Sequence, residues 1–354
     1  MKQLLVHGFV MAAVLAVIAA STPTPASDDG DTYRDVGRQV LIPNCPTIHC
    51  FRVLVPAVLE HLPGPSRPKW KAYAVIAVAV GAMALGRFCL LLGISLPGAI
   101  AAAWISALGA GSLYALYDSY TSDPLMYMIG PVIAVAVAER RIGRAALAAG
   151  VGVFAKEFAA APLWIFAGDA ALERRRDDAR RLSIAAGIVT LVWLAIQLSL
   201  RVLLHYRHSE TASANVLHGA YLAMWFGSVG RMGIVYLFVT FGALYLLFAA
   251  GLVRDRHSRM LTLAALPAIA AFVYVQQPER ALWNFHFIVI PVAVLVLETL
   301  PGWAMAAFVV SFGVVNLRFG AQLPFRLAAQ AGLALSIFLA GAAIVMSRRT
   351  RDPV

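Results

Sequence analysis

The chain has 354 residues, of which 61% are hydrophobic and 13% are charged, whereas a soluble domain has roughly 45–50% apolar and about 25% charged residues. This composition excludes an ordinary soluble globular protein. The net charge of +11 comes from 29 Lys and Arg against 18 Asp and Glu. The basic residues cluster in short runs between apolar segments, as the cytoplasmic flanks of membrane spans do, so the charge indicates topology rather than nucleic-acid binding.

The apolar segments predict an all-α fold, because a helix needs roughly 20 residues to cross about 30 Å of hydrocarbon. We expect a polytopic transmembrane helix bundle of about twelve spans that forms a single integral membrane domain over residues 1–354. The predicted spans are 3–21, 70–93, 97–117, 123–138, 143–156, 157–172, 182–204, 231–252, 259–276, 281–298, 302–317 and 326–347. Three of them, between residues 123 and 172, are short for full crossings and are expected to be tilted, broken or half-inserted.

The first span has two interpretations. Lys2 precedes an apolar run that ends in the small residues Ala19, Ala20 and Ser21, which is also typical of a cleavable secretory signal. A retained first helix gives an even number of spans, which agrees with the basic clusters and places both termini in the cytoplasm. We therefore expect retention. Under either interpretation the loop 22–69 lies outside the cytoplasm.

This external loop opens with an acidic cluster of Asp28, Asp29 and Asp31. Carboxylates just past a helix end can stay ionised at the interface and face lipid headgroups, although a solvated acidic turn is equally typical there. Farther along, Cys45 and Cys50 could pair in an oxidising compartment. The apolar residues of 53–62 recur at helical spacing and predict a short helix in the interface.

Two later positions carry charge at or near the ends of spans. Asp123 comes directly before Pro124, so a helix N-cap would explain it without any function. Lys156 and Glu157 interrupt the apolar run 145–166. Ionisable residues at membrane depth indicate a functional site. The alternative is a plain interfacial turn, since adjacent helical residues do not face one another.

Arg280 lies at the external mouth of a later span, where a guanidinium is well suited to bidentate phosphate binding. The histidines near residues 205–218 lack the spacing of a metal site. The motifs of P-loop ATPases, Rossmann transferases and zinc proteases are all missing from the sequence, which argues against these three classes.

The external motifs resemble those of the GT-C superfamily of multi-spanning glycosyltransferases. The matching segments are Asp28-Asp29-Gly30-Asp31 followed by Tyr33, Ser122-Asp123-Pro124-Leu125, Ala155-Lys156-Glu157, and the stretch 48–56 that holds His49 and Arg52. They are short and cover about the N-terminal half. We expect no counterpart of the large C-terminal soluble domain that several members carry, so acceptor recognition is expected to fall to loops.

The resemblance implies transfer of a sugar from a polyprenyl-phosphate lipid donor to a glycan or lipid acceptor. It implies a multi-pass protein of the bacterial inner (plasma) membrane with its active face outside the cytoplasm. Asp31 is the expected general base, with Asp28 or Asp29 as substitutes. The expected substrate-binding residues are Arg52, Lys156 and Arg280 for phosphate, Asp123 and Glu157 for sugar hydroxyls or a divalent metal, and His49. No cofactor is expected, a divalent metal stays open, and no nucleic acid partner is expected.

Two other classes remain open. A transporter or flippase would carry charge at mid-depth on several spans, whereas here most polar groups collect on one side of the membrane. A non-catalytic assembly subunit is also compatible with the sequence, because no single motif is specific.

Overall fold

The computed structural model describes residues 2–24, 28–45, 47–207, 216–226, 238, 240–320 and 326–349. Within these ranges the chain forms helices and no strand, which confirms the predicted all-α fold. The first residues of the predicted span 231–252 lie outside the described part.

The helices follow one another along the chain with short connections. They are α1 Lys2–Ser21, α2 Asp28–Arg38, α3 Leu54–His61, α4 Ser66–Leu91, α5 Leu96–Ala107, α6 Ala110–Tyr117, α7 Asp123–Ala138, α8 Ile142–Gly152, α9 Ala161–Leu172, α10 Arg176–Leu203, α11 Ala220–Phe226, α12 Leu244–Arg254, α13 Arg256–Val275, α14 Pro278–Trp283, α15 His286–Leu297, α16 Gly302–Gly320 and α17 Arg326–Arg349. Two 3₁₀ helices, Ile48–Phe51 and Glu157–Ala160, lie between them.

The chain is a polytopic membrane protein. In the described part, α1, α4, α10, α13 and α17 are each long and apolar enough to cross a membrane, and α5 with α6 would form a sixth span bent by 41°. The prediction of about twelve spans counted every shorter apolar helix as a crossing. A break is present within the region 143–172, since α8 begins at Ile142 and ends at Gly152, and regular α-helix resumes only at Ala161.

The first helix is packed into the bundle against α4. Its residues Leu4, Met11 and Leu15 are fully buried and recur on one face, as helical spacing requires. The buried Lys71 of α4 donates hydrogen bonds to the carbonyls of Ala19 and Thr22. The last carbonyls of a helix have no partner within it, so Lys71 satisfies the end of α1 and fixes the direction in which the chain leaves α1 toward the loop 22–69.

The described residues of the loop 22–69, which we call the loop layer, cover one end of the bundle. Its helices α2 and α3 pack on each other, and Tyr33, Val55 and Leu59 are buried with Trp70 at the start of α4. The helix predicted in 53–62 is therefore present. Its inner side packs on protein, while Val58 is exposed.

A disulfide joins Cys45 to Cys50, with 6.3 Å between the two Cα atoms. The carbonyl of Cys45 accepts a hydrogen bond of 3.1 Å from the amide of Arg207, and the amide of Asn44 donates one of 2.8 Å to the carbonyl of Leu204. The cross-linked turn is thus attached to the end of α10. Its second cysteine, Cys50, lies two residues before Arg52 in the sequence.

Alkylation of the unfolded protein tests this disulfide. The chain contains three cysteines, and the third, Cys89, is a buried free thiol. Denatured protein isolated without reductant should take up one alkyl group by mass spectrometry, and reduced protein should take up three. Three alkyl groups without reductant would show that Cys45 and Cys50 do not pair.

The predicted topology can be tested at two helix starts. Ser66 begins α4 and Arg176 begins α10 within a basic cluster. The positive-inside rule predicts that reporter fusions at these residues lie on opposite sides of the membrane, with Arg176 in the cytoplasm. Fusions that report the same side would remove the assignment of an external site.

Candidate functional site

Five ionisable side chains from four separate segments of the chain meet beneath the loop layer. We call them the charged cluster, and they are Arg52, Asp123, Lys156, Glu157 and Arg280. Most of these side chains lie at helix ends or between helices, where the backbone can turn them inward. Lys156 and Glu157 lie in the break between α8 and α9, Asp123 starts α7, and Arg280 lies on the short helix α14.

Asp123 joins two of the cations. Its Oδ2 accepts a hydrogen bond of 2.7 Å from Nε of Arg280 and lies 2.6 Å from Nη2 in the same ion pair, and its Oδ1 pairs with the ammonium of Lys156. Asp123 and Lys156 are each only 4% exposed. The alternative that Asp123 merely caps a helix is wrong, because α7 begins at Asp123 itself and the carboxylate is bound to these two cations.

Arg52 and Glu157 form the second pair of the cluster. Arg52 donates from Nη2 to Oε1 at 2.6 Å and from Nε to Oε2 at 3.2 Å. Burial raises the pKa of Glu157, but the charge and hydrogen bonds of Arg52 outweigh it and hold that pKa below its ordinary value. Tyr33 accepts a further bond from Arg52 at 3.3 Å, and burial raises the pKa of Tyr33 so that its phenol stays neutral.

Adjacent residues Lys156 and Glu157 serve different partners. The chain is extended at Lys156, so the two side chains point apart, one to Asp123 and the other to Arg52. A plain interfacial turn would leave both in water. Lys156 is buried and Glu157 is half-buried, each in an opposite-charge pair; their role in a functional site stays a prediction.

A cavity of about 660 Å³ opens beside the cluster. Arg52, Lys156, Glu157 and Arg280 form the charged part of its wall, and Asp123 lies behind two of these cations. The wall also includes Tyr33 and His49, whose rings lie 4.5 Å apart. The remaining lining residues are Phe51, Phe158, Trp193, Gln197, Val216, Leu217, Tyr221, Val275, Gln276 and Gln277.

All six residues predicted to bind substrate are therefore at this site. The sequence analysis did not predict that Trp193, Gln197 or Gln276 lines the site. For Gln197 a signal was available, because it is a lone glutamine in an apolar span.

The acidic residues predicted for catalysis have a different position. Helix α2 buries Tyr33 and Val36 on one face, and Asp31 projects from another, 71% exposed and paired with Arg34 one turn later. Asp31 does not line the cavity. The side chains of Asp28 and Asp29 lie outside the described residues. The catalytic role of these three residues stays a prediction.

Metal binding finds no support in the arrangement of the cluster. In the part of the chain that the structure describes, no group of three or more His, Cys, Asp or Glu could hold a metal ion. Both carboxylates of the charged cluster are bound to basic side chains, and as arranged they do not fit a metal ion.

Comparison of the fold with solved structures reveals clear similarity. ArnT from Cupriavidus metallidurans, crystallised with bound undecaprenyl phosphate, aligns with a TM-score of 0.58 and 13% identity, covering 97% of this chain and 76% of that one. The apo oligosaccharyltransferase of Archaeoglobus fulgidus aligns with a TM-score of 0.50 and 11% identity, covering 95% and 56%. The chain has the GT-C fold.

The resemblance seen in the short motifs is thereby confirmed at the level of the fold. No protein-family model matches the sequence, and no curated protein sequence matches it. The chain spans a little over half of the oligosaccharyltransferase, and identities this low establish the fold alone.

Proposed function

We propose that the protein is a membrane glycosyltransferase that transfers a sugar from a polyprenyl-phosphate donor to a glycan or lipid acceptor. The reaction would take place on the outer face of a bacterial inner membrane. The charged cluster on the wall of a large cavity carries this proposal. The GT-C fold supports it, since the similar ArnT structure contains undecaprenyl phosphate.

The balance of charge favours a phosphodiester ligand. The cluster holds three cations, Arg52, Lys156 and Arg280, and two carboxylates, Asp123 and Glu157. One positive charge is left over in a cluster whose members are buried or half-buried, and such a charge is costly unless an anion neutralises it. A sugar linked through phosphate to a lipid carries one negative charge, and guanidinium and ammonium groups are strong phosphate donors.

A lipid ligand also suits the surroundings of the cavity. Helix α10 contributes Trp193 and Gln197 to its wall. The same helix exposes Leu191, Leu194 and Leu198, each about half or more exposed, as expected for a face in contact with hydrocarbon. A lipid tail could lie along this face while its phosphate reaches the cluster.

The proposed reaction is displacement at the anomeric carbon. The acceptor oxygen forms the new bond to that carbon, and the bond from the carbon to the phosphate oxygen breaks. The electron pair leaves with the lipid phosphate, whose growing charge is stabilised by Arg280 and Lys156. A carboxylate takes the proton of the acceptor hydroxyl.

We propose Asp31 as that carboxylate. Asp123 and Glu157 are bound to cations and hold them in place. Asp31 is open to solvent on the helix that brings Tyr33 to the cavity wall, and its pair with Arg34 is an exposed one of little strength. An acceptor that arrives from outside could reach it.

The proposal is tested with purified protein and undecaprenyl-phosphate sugars. Wild type should release undecaprenyl phosphate and glycosylate an acceptor. Arg280→Ala should raise the donor KM and Kd at least about tenfold, since a lost charged hydrogen bond costs about 1.5–3 kcal/mol. Arg256→Ala, an exposed arginine at the start of α13, is the control. Lipid movement across liposomes without sugar transfer would favour a flippase instead.

A further inference from the structure

Two N–H groups on the uncharged part of the cavity wall are buried and have no hydrogen-bond partner among the residues that the structure describes. They are Nε1 of Trp193 and Nε2 of Gln276, and both residues line the cavity. A buried donor without a hydrogen bond is costly, and in proteins such groups are usually satisfied. A ligand in the cavity that offers acceptor oxygens would satisfy both.

The orientation of the Gln276 amide follows from its neighbours. Asn284 donates from Nδ2 to the carbonyl of Arg280 at 2.6 Å, which fixes which end of the Asn284 amide is the donor. The same Nδ2 donates to Oε1 of Gln276 at 3.2 Å. The oxygen of Gln276 is thereby engaged, and its NH₂ group is the end left for a ligand.

These two hydrogen bonds connect the Gln276 amide to Arg280, the proposed phosphate-binding residue. Arg280 carries the carbonyl that orients Asn284, and Asn284 orients Gln276. The guanidinium of the same Arg280 is held by Asp123 on the charged side. The group bound by Gln276 should therefore be attached close to the phosphate.

We propose that this uncharged wall binds the sugar of the lipid donor and that this sugar is itself uncharged. The inference rests on the proposed function. Among the cavity-lining residues that the structure describes, apart from the charged cluster, there is no carboxylate to hold a cationic amino sugar and no Lys or Arg to hold a sugar acid. N–H donors suit hydroxyl and ring oxygens, and the aromatic faces of Trp193 and Tyr221 suit the apolar face of a sugar ring.

Binding of defined lipids to the purified protein tests the inference. The probes are undecaprenyl phosphate alone and the same lipid carrying glucose, a cationic amino sugar or a uronic acid. Wild type should bind the glucose lipid about tenfold more tightly than the bare lipid, and the two charged-sugar lipids should lack this gain. Gln276→Ala should abolish the gain and leave the bare lipid unchanged, because one lost hydrogen bond is worth roughly a tenfold change.

Two further variants separate recognition from folding. Gln276→Glu keeps an oxygen for Asn284 and removes the NH₂ donor. Its added negative charge should weaken the binding of every lipid, so the gain is measured against the bare lipid in the same variant, and that gain should be lost. Gln330→Ala, an exposed glutamine on α17, should bind every lipid as wild type does.

Several outcomes would overturn the inference. A gain in affinity that persists in Gln276→Ala and Gln276→Glu would overturn it, and so would preferential binding of a charged-sugar lipid by wild type. If these variants raised the KM for the acceptor and bound the donor normally, the uncharged wall would be assigned to the acceptor. If wild type binds none of the lipids, the proposed function fails as well, whereas Arg280→Ala weakening every lipid leaves that function standing.

Discussion

Asp31→Asn is expected to lower the rate of sugar transfer by about 10²- to 10⁴-fold, because it keeps the size of the side chain and removes its capacity to accept a proton. Donor binding should be unchanged, since Asp31 does not line the cavity. Stability should also be unchanged, since the side chain is 71% exposed. Single-turnover transfer measured beside equilibrium binding of the donor lipid separates these quantities.

Glu157→Gln is the matched comparison, because it makes the same change of a carboxylate to an amide inside the cluster. Arg52 loses its charged partner in this variant, so donor binding and stability should both change. Asp35→Asn, an exposed residue on the same helix as Asp31, is the control for α2. Full activity in Asp31→Asn together with loss of rate and normal donor binding in Glu157→Gln would assign the base to Glu157.

The sequence predicted the fold where the physical signal is local. Hydropathy gave the bounds of apolar helices to within a few residues, as at α1, α7 and α17, because exclusion from water acts on each segment separately. The number of membrane crossings was harder to predict. An apolar helix such as α8 can be shorter than the hydrocarbon thickness when protein covers its ends, and its own sequence does not reveal this.

The charged cluster was predictable because charge is expensive near hydrocarbon. Asp123, Lys156, Glu157 and Arg280 stood out as ionisable residues at a helix end or break, whereas Arg52 was named through the resemblance of the stretch 48–56. The pairing of Arg52 with Glu157 was not predictable, since they are 105 positions apart and meet only when the loop layer folds onto the bundle. The uncharged wall was harder still, because tryptophan and glutamine at such depth have no distinctive spacing.

The burial of Asp123 leads to a large expected effect on stability. Asp123→Asn removes the only negative charge that contacts Lys156 and Arg280 within the described contacts. Two cations would then share a buried site without a counter-charge, and breaking a buried ion pair in this way costs about 3–5 kcal/mol. Thermal unfolding in detergent should show a clear drop in Tm, and Asp35→Asn should show none.

A double variant distinguishes charge from shape in this result. Lys156→Met in the Asp123→Asn background removes one of the two unpaired cations and keeps a side chain of similar length. If the penalty comes from buried charge, the double variant should regain a substantial part of the lost stability, as coupled sites do in a double-mutant cycle. Losses that simply add would show that Asp123 stabilises the fold through packing and hydrogen-bond geometry. In that case the excess positive charge proposed to receive the lipid phosphate would not be held in place by Asp123.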